Sequence, residues 1–168
     1  MKTLLLLRHG EAADPVGSGG DKTRTLTRKG RADMAQLHYT LRTQGLMPAF
    51  ALSSDAERTR QTLDAVTGPD FAGQKILDPH LYNADFNRIV EAIQNISDEF
   101  SSAMIVAHNP GIHMVAMNLI ADSSDQTLQM KLLSGYSSGT LTVLQCPVDR
   151  WSDIDLRRNH LAHLIVPA

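Results

Sequence analysis

The sequence predicts an α/β fold, a three-layer α/β/α sandwich around a mostly parallel central sheet. Short apolar runs in it are continuous rather than alternating, which is typical of strands buried on both faces. Segments with helical character lie between and after these runs, and strands that alternate with helices indicate a parallel sheet. The length of 168 residues suits one domain with a sizeable core, and we expect a single domain over residues 1–168.

The predicted strands are short and well bounded. In chain order they are Leu4–Leu7 (LLLL), Ala49–Leu52, Ala103–Ala107 (AMIVA), Thr140–Leu144 and Leu161–Val166. The first three are apolar runs, and the fourth alternates in polarity. Two stretches rich in Gly, Ser and Asp, Asp14–Thr25 and residues 122–139, are predicted to be loops.

Four segments are predicted helices: residues 28–43, 57–66, 86–97 and 111–121. In the first, Met34, Leu37, His38 and Leu41 fall on one face, which indicates an amphipathic helix. Thr27 is placed to cap its N-terminus, because a threonine hydroxyl can accept from the first free backbone N–H groups. Pro110 suits the first turn of the fourth helix.

The composition argues against several classes of protein. The net charge is −2, so no general basic field points to nucleic acid or an anionic membrane. No stretch approaches the roughly 20 apolar residues of a membrane helix, and the run Leu4–Leu7 is too short for a signal peptide. The one cysteine, Cys146, excludes an internal disulfide and predicts a buried thiol. We therefore expect a cytoplasmic monomer with no nucleic-acid or membrane partner.

Polar residues follow each of the first three predicted strands at once. RHG (8–10) follows the first, SS (53–54) the second and HNPG (108–111) the third. Ligands of open α/β sheets bind beyond the carboxyl ends of the strands. If these three strands are parallel neighbours, their polar residues converge on one crevice.

Arg8, His9, Arg58 and His108 would make this crevice an anion pocket. One guanidinium group can donate two parallel hydrogen bonds to two phosphate oxygens. A neutral imidazole is a competent nucleophile towards phosphorus. The cations would stabilise the charge on the phosphoryl group as it is transferred. Each residue alone has a structural alternative, since His108 could be a hydrogen-bonded core histidine and Arg58 a solvated helix residue. Their joint placement after buried strands favours the phosphate pocket.

Four motifs carry a specific resemblance: RHGE (8–11), DKTRTLTRKG (21–30), SSDAERTRQT (53–62) and VAHNPG (106–111). In this order they resemble the motifs of the histidine phosphatase superfamily, also called the phosphoglycerate mutase-like fold. Within it the chain is most similar to the short SixA-type branch, the phosphohistidine phosphatases. The matching motifs span residues 4–111 and predict the phosphoglycerate mutase-like fold.

The resemblance implies roles for the four pocket residues. His9 would be the nucleophile that becomes phosphohistidine. Arg8, Arg58 and His108 would bind the phosphoryl group that is transferred. The resemblance implies no metal and no cofactor.

Three further residues are implied at the phosphate or the substrate: Gly10, Arg24 and Asn109. A structural role for Arg24, holding the loop before Thr27, is the alternative. Glu11 belongs to the motif but could simply position the loop. The remaining histidines are predicted to be structural or exposed: His38, His80, His113, His160 and His163.

The chain departs from the family pattern at two places. Asp55 stands where the family has a proline, and a carboxylate near a phosphate pocket is unfavourable unless it points away or caps the helix. Larger family members supply a carboxylate general acid between the second and third strands, yet residues 67–86 contain no Glu. Asp85 and Tyr82 are the nearest candidates, alongside Asp78, and surface or capping roles are the alternatives.

The absence of a clear general acid affects which kind of substrate we expect. A phosphate monoester leaves as an alkoxide and needs a general acid, whereas phosphohistidine leaves as an imidazole and needs less help. We therefore expect a phosphatase that acts through His9 on protein phosphohistidine. The alternatives are a phosphomonoesterase for a small phosphorylated metabolite, a low-turnover module that binds phosphorylated partners, and a metal-dependent hydrolase using His9, His108 and His113.

Overall fold

The computed structural model describes all residues from Met1 to Ala168, and its centre is one six-stranded sheet. The strands are β1 (Lys2–Arg8), β2 (Phe50–Ser53), β3 (Gln74–Leu77), β4 (Ser102–Ala107), β5 (Leu141–Cys146) and β6 (His160–Ile165). Their order across the sheet is β3-β2-β4-β1-β5-β6. The first four positions in this order are parallel, and β5 and β6 are antiparallel to their neighbours. The predicted mostly parallel sheet is confirmed.

Helices cover both faces of the sheet. They are α1 (Arg28–Thr43), α2 (Glu57–Thr67), α3 (Phe86–Gln94), α4 (Gly111–Leu119) and α5 (Gln126–Ser134), with short 3₁₀ turns between elements. The helices α1 and α2 pack on one face, and α3, α4 and α5 pack on the other. This is the expected three-layer α/β/α sandwich.

The strand β1 explains why its sequence is a continuous apolar run. Leu4 and Leu6 belong to the core under α3 to α5, and Leu5 and Leu7 belong to the core under α1 and α2. All four side chains are fully buried. Since successive side chains of a strand point to opposite faces, a strand covered on both sides needs apolar residues throughout.

The carboxyl ends of three parallel strands lie side by side. Arg8 at the end of β1 pairs with Ala107 at the end of β4, and Ser53 of β2 pairs with Val106 of β4. The expectation that the polar residues after β1, β2 and β4 meet at one edge is confirmed.

The N-terminus of α1 is capped as predicted. The hydroxyl of Thr27 accepts a hydrogen bond from the backbone N–H of Gly30 (2.9 Å). Pro110 lies at the N-cap position of α4, one residue before the predicted first turn.

The boundaries of two helices differ from the predictions. The helix α3 ends at Gln94 and α4 at Leu119, so both are shorter than predicted. Buried apolar residues just beyond each end, Ile96 and Ile120, continue the apolar pattern without continuing the helix.

Two elements are missing from the sequence predictions. The prediction of a loop over residues 122–139 is wrong, because α5 forms there with Asp125 as its N-cap (the Asp125 carboxylate accepts from the Leu128 N–H, 2.9 Å). Only Leu132 of α5 is buried, so the sequence carries no apolar stripe. The edge strand β3 has four exposed residues and therefore no burial pattern.

The thiol of Cys146 is buried in β5, as predicted, and burial raises its pKa to about 12. His160 and His163 lie in β6, the predicted C-terminal strand. No helix combines the length and the apolar character that crossing a bilayer requires.

Candidate active site

His9 is the first residue after β1 and is almost completely buried. Its Nδ1 lies 2.8 Å from the carbonyl oxygen of Gly10, which can only accept, so Nδ1 carries the proton and donates. Nε2 is then left with its lone pair free. The N–H of Gly10 donates to the hydroxyl of Thr62 on α2 (2.9 Å), which fixes the peptide that orients the imidazole.

The surroundings of His9 keep its imidazole neutral. Burial, and then the nearby guanidinium groups of Arg58, Arg8 and Arg24, lower the pKa of His9 from its ordinary 6.5 to about 4, against the opposing effect of the bond to Gly10. A neutral imidazole is the form that can attack phosphorus. The same burial that shields the ring from water thus keeps it nucleophilic near neutral pH.

Arg8, the last residue of β1, is held by the loop after α5. Its Nη1 donates to the carbonyl oxygen of Tyr136 (2.7 Å), and Nδ2 of Asn109 donates to the same oxygen (2.9 Å). The Nε of Arg8 is buried and has no partner within the protein. Arg8 therefore keeps an unused N–H donor, which an anion can take up.

Arg58, near the start of α2, is buried although it is charged. Its Nη1 donates to the backbone oxygen of Asp21 (2.8 Å), and its Nη2 donates to the Asp21 carboxylate (3.0 Å) and to Nδ1 of His108 (3.2 Å). Its Nε is also buried without a partner. Two buried guanidinium groups with spare donors, Arg8 and Arg58, fit a phosphate oxygen acceptor well.

His108 follows β4 and lies beside His9, with the ring centroids 5.2 Å apart. Its Nδ1 accepts from Arg58, so the neutral ring carries its proton on Nε2, which faces the hydroxyl oxygen of Ser54 (2.9 Å). Burial, and then the electrostatic effects of neighbouring His9 and Arg58, lower the pKa of His108 to about 3. The structure thus brings together Arg8, His9, Arg58 and His108, the four pocket residues predicted from the sequence.

Asp21 is a pocket residue that sequence analysis did not single out. Its carboxylate accepts from the hydroxyl of Tyr82 (2.6 Å), from Arg24 Nη1 (3.1 Å) and from Arg58 Nη2. These donors, Tyr82 first, hold the pKa of Asp21 well below its usual range, so the carboxylate is ionised. The same hydrogen bond raises the pKa of Tyr82. Asp21 begins a short 3₁₀ turn (Asp21–Thr23), and this motif position carries no local sequence pattern that indicates the contact.

Arg24 holds the loop in which Asp21 lies. Its Nε donates to the backbone oxygen of Ala13 (2.7 Å), in addition to the Asp21 bond. These contacts are the structural role that the sequence offers as the alternative for Arg24.

The side chain of Asp55, at the position where the family has a proline, forms an ion pair with a lysine. Its carboxylate lies 2.7 Å from Nζ of Lys22, and Lys22 also lies over the ring of Tyr82. Asp55 does not cap α2, whose N-cap residue is Ala56 without a side-chain bond. The lysine balances the acidic charge that the missing proline introduces.

The candidates for a general acid occupy different positions. Asp85 is the N-cap of α3 and accepts from the Arg88 N–H (2.9 Å). Asp78 pairs with His80 and Arg88. Tyr82 alone borders the pocket, with its ring edge-on to His108 at 5.5 Å between centroids.

His113 is turned towards α5 and not towards the pocket. Its Nε2 lies 2.7 Å from the carbonyl oxygen of Leu132, and its ring stacks on Tyr136. The structure contains no group of three or more His, Cys, Asp or Glu side chains arranged to hold a metal ion.

A cavity of about 860 Å³ lies away from these residues. Ala49, Gln74 and Ser102 line it, at the amino ends of β2, β3 and β4. It contains none of the predicted site residues. The chemistry of the side chains, and not the size of a cavity, therefore identifies the site.

Comparison with known proteins decides the family. The model of the histidine phosphatase superfamily (branch 1) matches residues 4–87, half of the chain, which contain the first three motifs and therefore Arg8, His9 and Arg58. The chain belongs to the histidine phosphatase superfamily. The resemblance inferred from the motifs is confirmed.

Relatives of this superfamily member match most of its length. An uncharacterised chloroplast protein of Arabidopsis thaliana is 34% identical, and the match covers 82% of this chain and 68% of that protein. An uncharacterised protein of Mycobacterium leprae is 28% identical, with coverage of 96% and 99%.

Solved structures of the superfamily superimpose closely. Proteins of Nakamurella multipartitia and Agrobacterium tumefaciens, both provisionally named phosphohistidine phosphatase SixA, each have a TM-score of 0.84. They are 25% and 26% identical to this chain and cover 99% of it, with 96% and 98% of their own chains matched. A protein histidine phosphatase SixA complexed with tungstate has a TM-score of 0.74 at 18% identity, with 98% of this chain and 97% of that one covered, and it shares the fold.

Proposed function

We propose that the protein is a phosphatase that uses His9 as its nucleophile and acts on phosphohistidine carried by a protein. The observation that carries this proposal is the environment of His9. Its proton is directed to Gly10, its Nε2 is free, and its ring lies beside His108 in a pocket with two buried arginines. Membership of the histidine phosphatase superfamily supports the same chemistry.

The first step is transfer of the phosphoryl group to His9. The Nε2 lone pair of His9 forms a bond to phosphorus while the bond to the leaving group breaks, and that bonding pair departs with the leaving group. Arg8 and Arg58 stabilise the charge on the equatorial phosphoryl oxygens. The carbonyl oxygen of Gly10 accepts a hydrogen bond from Nδ1–H of His9. This N–H becomes a stronger donor as the ring gains positive charge, so the bond stabilises the phosphorylated ring.

The second step is hydrolysis of the phosphohistidine. Water forms a bond to phosphorus, the bond to Nε2 breaks, and the electron pair returns to the imidazole of His9. The water proton passes to the phosphate or to solvent. The environment that keeps free His9 neutral also makes neutral imidazole a good leaving group in this step.

The placement of the acidic groups supports a phosphohistidine substrate over a phosphate monoester. Asp21 is ionised, Asp85 caps a helix and Asp78 is paired with the guanidinium of Arg88, so none is poised to donate a proton to an alkoxide. Phosphohistidine departs as an imidazole and does not need such a donor. The likeness to structures named phosphohistidine phosphatase supports this choice.

Phosphate release from a histidine-phosphorylated phosphocarrier protein, beside a panel of phosphate monoesters, tests the proposal. We expect faster release from phosphohistidine, and none in His9→Ala. His80→Ala is the matched control, because His80 is an exposed histidine. Trapping of phosphate on His9 by acid-free mass spectrometry should detect the intermediate.

Three outcomes would contradict the proposal. Turnover that survives in His9→Ala would show that His9 is not the nucleophile. Preference for monoesters would favour a phosphomonoesterase, and one stoichiometric transfer without turnover would favour a binding module. Full activity in a chelator is expected.

The compartment and the oligomeric state, for which the sequence predicts the cytoplasm and a monomer, stay predictions.

A further inference from the structure

We infer that Asp21 is a specificity-determining residue, whose carboxylate favours leaving groups that carry an N–H donor, such as imidazole, over leaving groups that depart as oxyanions. The inference deepens the proposed function and rests on it. It assigns a physical cause to substrate choice within the pocket of His9.

The position of Asp21 is fixed by three donors on three different segments. Tyr82 and Arg58 share Oδ2 at 2.6 and 3.0 Å, and Arg24 holds Oδ1 at 3.1 Å. The Nη2 of Arg58 that binds Asp21 also binds His108. The carboxylate therefore lies one arginine nitrogen away from the histidine pair, on the side of His108.

The carboxylate can also be reached from outside. The Asp21 side chain is 44% exposed, whereas Arg58 next to it is 4% exposed. A substrate whose phosphoryl group binds Arg58 must place its leaving group towards the open side, and Asp21 lies between the buried guanidinium and that side. The leaving group therefore meets a fixed negative charge.

An imidazole leaving group gains from this charge. The distal nitrogen of a phosphorylated imidazole carries a lone pair, so the ring first takes up a proton from solvent there, and the nearby Asp21 carboxylate favours this protonated form. Its distal N–H can then donate to the lone pair that remains free on Asp21 Oδ1, and the ring still carries part of its positive charge when the P–N bond is breaking. As the bond to His9 Nε2 forms and the P–N bond breaks, the electron pair moves onto the departing ring nitrogen. The ring that was protonated at its distal nitrogen leaves as neutral imidazole with that N–H retained, so no proton has to be supplied to the leaving nitrogen itself.

The same negative charge raises the energy of the transition state for an oxygen leaving group. The departing oxygen of a monoester becomes more negative as the P–O bond breaks, and a nearby carboxylate raises the energy of that charge. The pocket thus discriminates by the sign of the charge on the leaving group, and the discrimination does not require contact with the rest of a protein substrate.

Asp21→Asn tests the inference with two small probes, phosphoimidazole and p-nitrophenyl phosphate. The asparagine keeps the shape and an oxygen acceptor for Tyr82 but removes the charge. We expect kcat/KM for phosphoimidazole to fall and that for p-nitrophenyl phosphate to rise, so that their ratio falls at least about tenfold. Asp21→Ser, which also removes the charge and keeps an acceptor, should shift the ratio in the same direction.

Asp55→Asn is the matched control, because it removes one negative charge from a carboxylate that is bound to Lys22. Its ratio should stay within about twofold of the wild type. Thermal unfolding of all variants checks that they are folded.

Two outcomes would overturn the inference while the proposed function stands. One is a ratio unchanged in folded Asp21→Asn, and the other is an equal loss on both probes, which would make Asp21 purely structural. A wild-type protein that turns over neither probe nor phosphohistidine protein would instead overturn the proposed function, and the inference with it.

Discussion

Nη2 of Arg58 donates a hydrogen bond to Nδ1 of His108 over 3.2 Å, between residues 50 positions apart in the chain. Because a guanidinium can only donate, this contact requires an unprotonated Nδ1 and places the His108 proton on Nε2, towards Ser54. Both residues are buried, at 3% and 2% exposed. One arginine therefore fixes the protonation state of a histidine and contributes positive charge to the pocket.

Arg58→Lys should lose most of the activity although it keeps the charge. A lysine has no planar array of donors and cannot serve Asp21, His108 and a phosphoryl oxygen together. We expect kcat/KM for p-nitrophenyl phosphate to fall about 10²-fold or more. Arg60→Lys, an exposed position on the same helix, is the control. A folded Arg58→Lys with activity within about threefold of the wild type would contradict this account.

His9 should stay neutral at pH values at which an ordinary histidine is protonated. Burial lowers the pKa of His9 to about 4, so the nucleophilic form dominates down to that pH and is lost only below it. Titration of the ¹⁵N-labelled imidazoles by NMR checks this value, and the unfolded protein in urea should titrate near 6.5 as the reference. A midpoint near 6.5 in the folded protein would show that the ring is far better solvated than the structure indicates.

The strongly buried elements could be predicted because burial leaves a mark on the sequence. Leu4–Leu7 is apolar throughout since each face of β1 meets its own core, and the polar RHG that follows marks the end of the strand. The position of His9 and His108 at one edge then follows from the parallel order of β1 and β4. That part of the site can be predicted from the ends of the strands and the order of the sheet alone.

The parts that escaped prediction lie where burial is one-sided or absent. The edge strand β3 is exposed, and α5 buries Leu132 alone, so neither has a periodic pattern. Asp21 contributes its carboxylate from a short 3₁₀ turn, and Tyr136 contributes its main-chain oxygen from an irregular loop. No local pattern encodes a contact made by a backbone carbonyl, and only the folded chain reveals it.

Tyr136→Phe should destabilise the fold through the loss of one buried hydroxyl. This hydroxyl donates to the carbonyl oxygen of Leu6 (2.7 Å) and lies 2.9 Å from Oγ1 of Thr142. Phenylalanine keeps the ring that stacks on His113, so the change isolates the hydrogen bonds. We expect a loss of about 1–2 kcal/mol in the free energy of unfolding.

Urea denaturation measures this loss, and Tyr39→Phe is the control because Tyr39 is 64% exposed. Equal stabilities of the two variants would mean that the Tyr136 hydroxyl contributes nothing net to the fold.

Asp85 gives a test between a capping role and a role as general acid. Its carboxylate accepts from the N–H of Arg88 at the start of α3. Asp85→Ala should therefore lower the free energy of unfolding by about 1 kcal/mol, and Asp85→Ser should recover most of this loss because serine is also a good N-cap. We expect kcat/KM for p-nitrophenyl phosphate not to follow this order. An equal, large loss of monoester activity in both variants, with phosphoimidazole turnover retained, would instead identify Asp85 as the general acid, since serine can cap a helix but is far too weak an acid to protonate a leaving group.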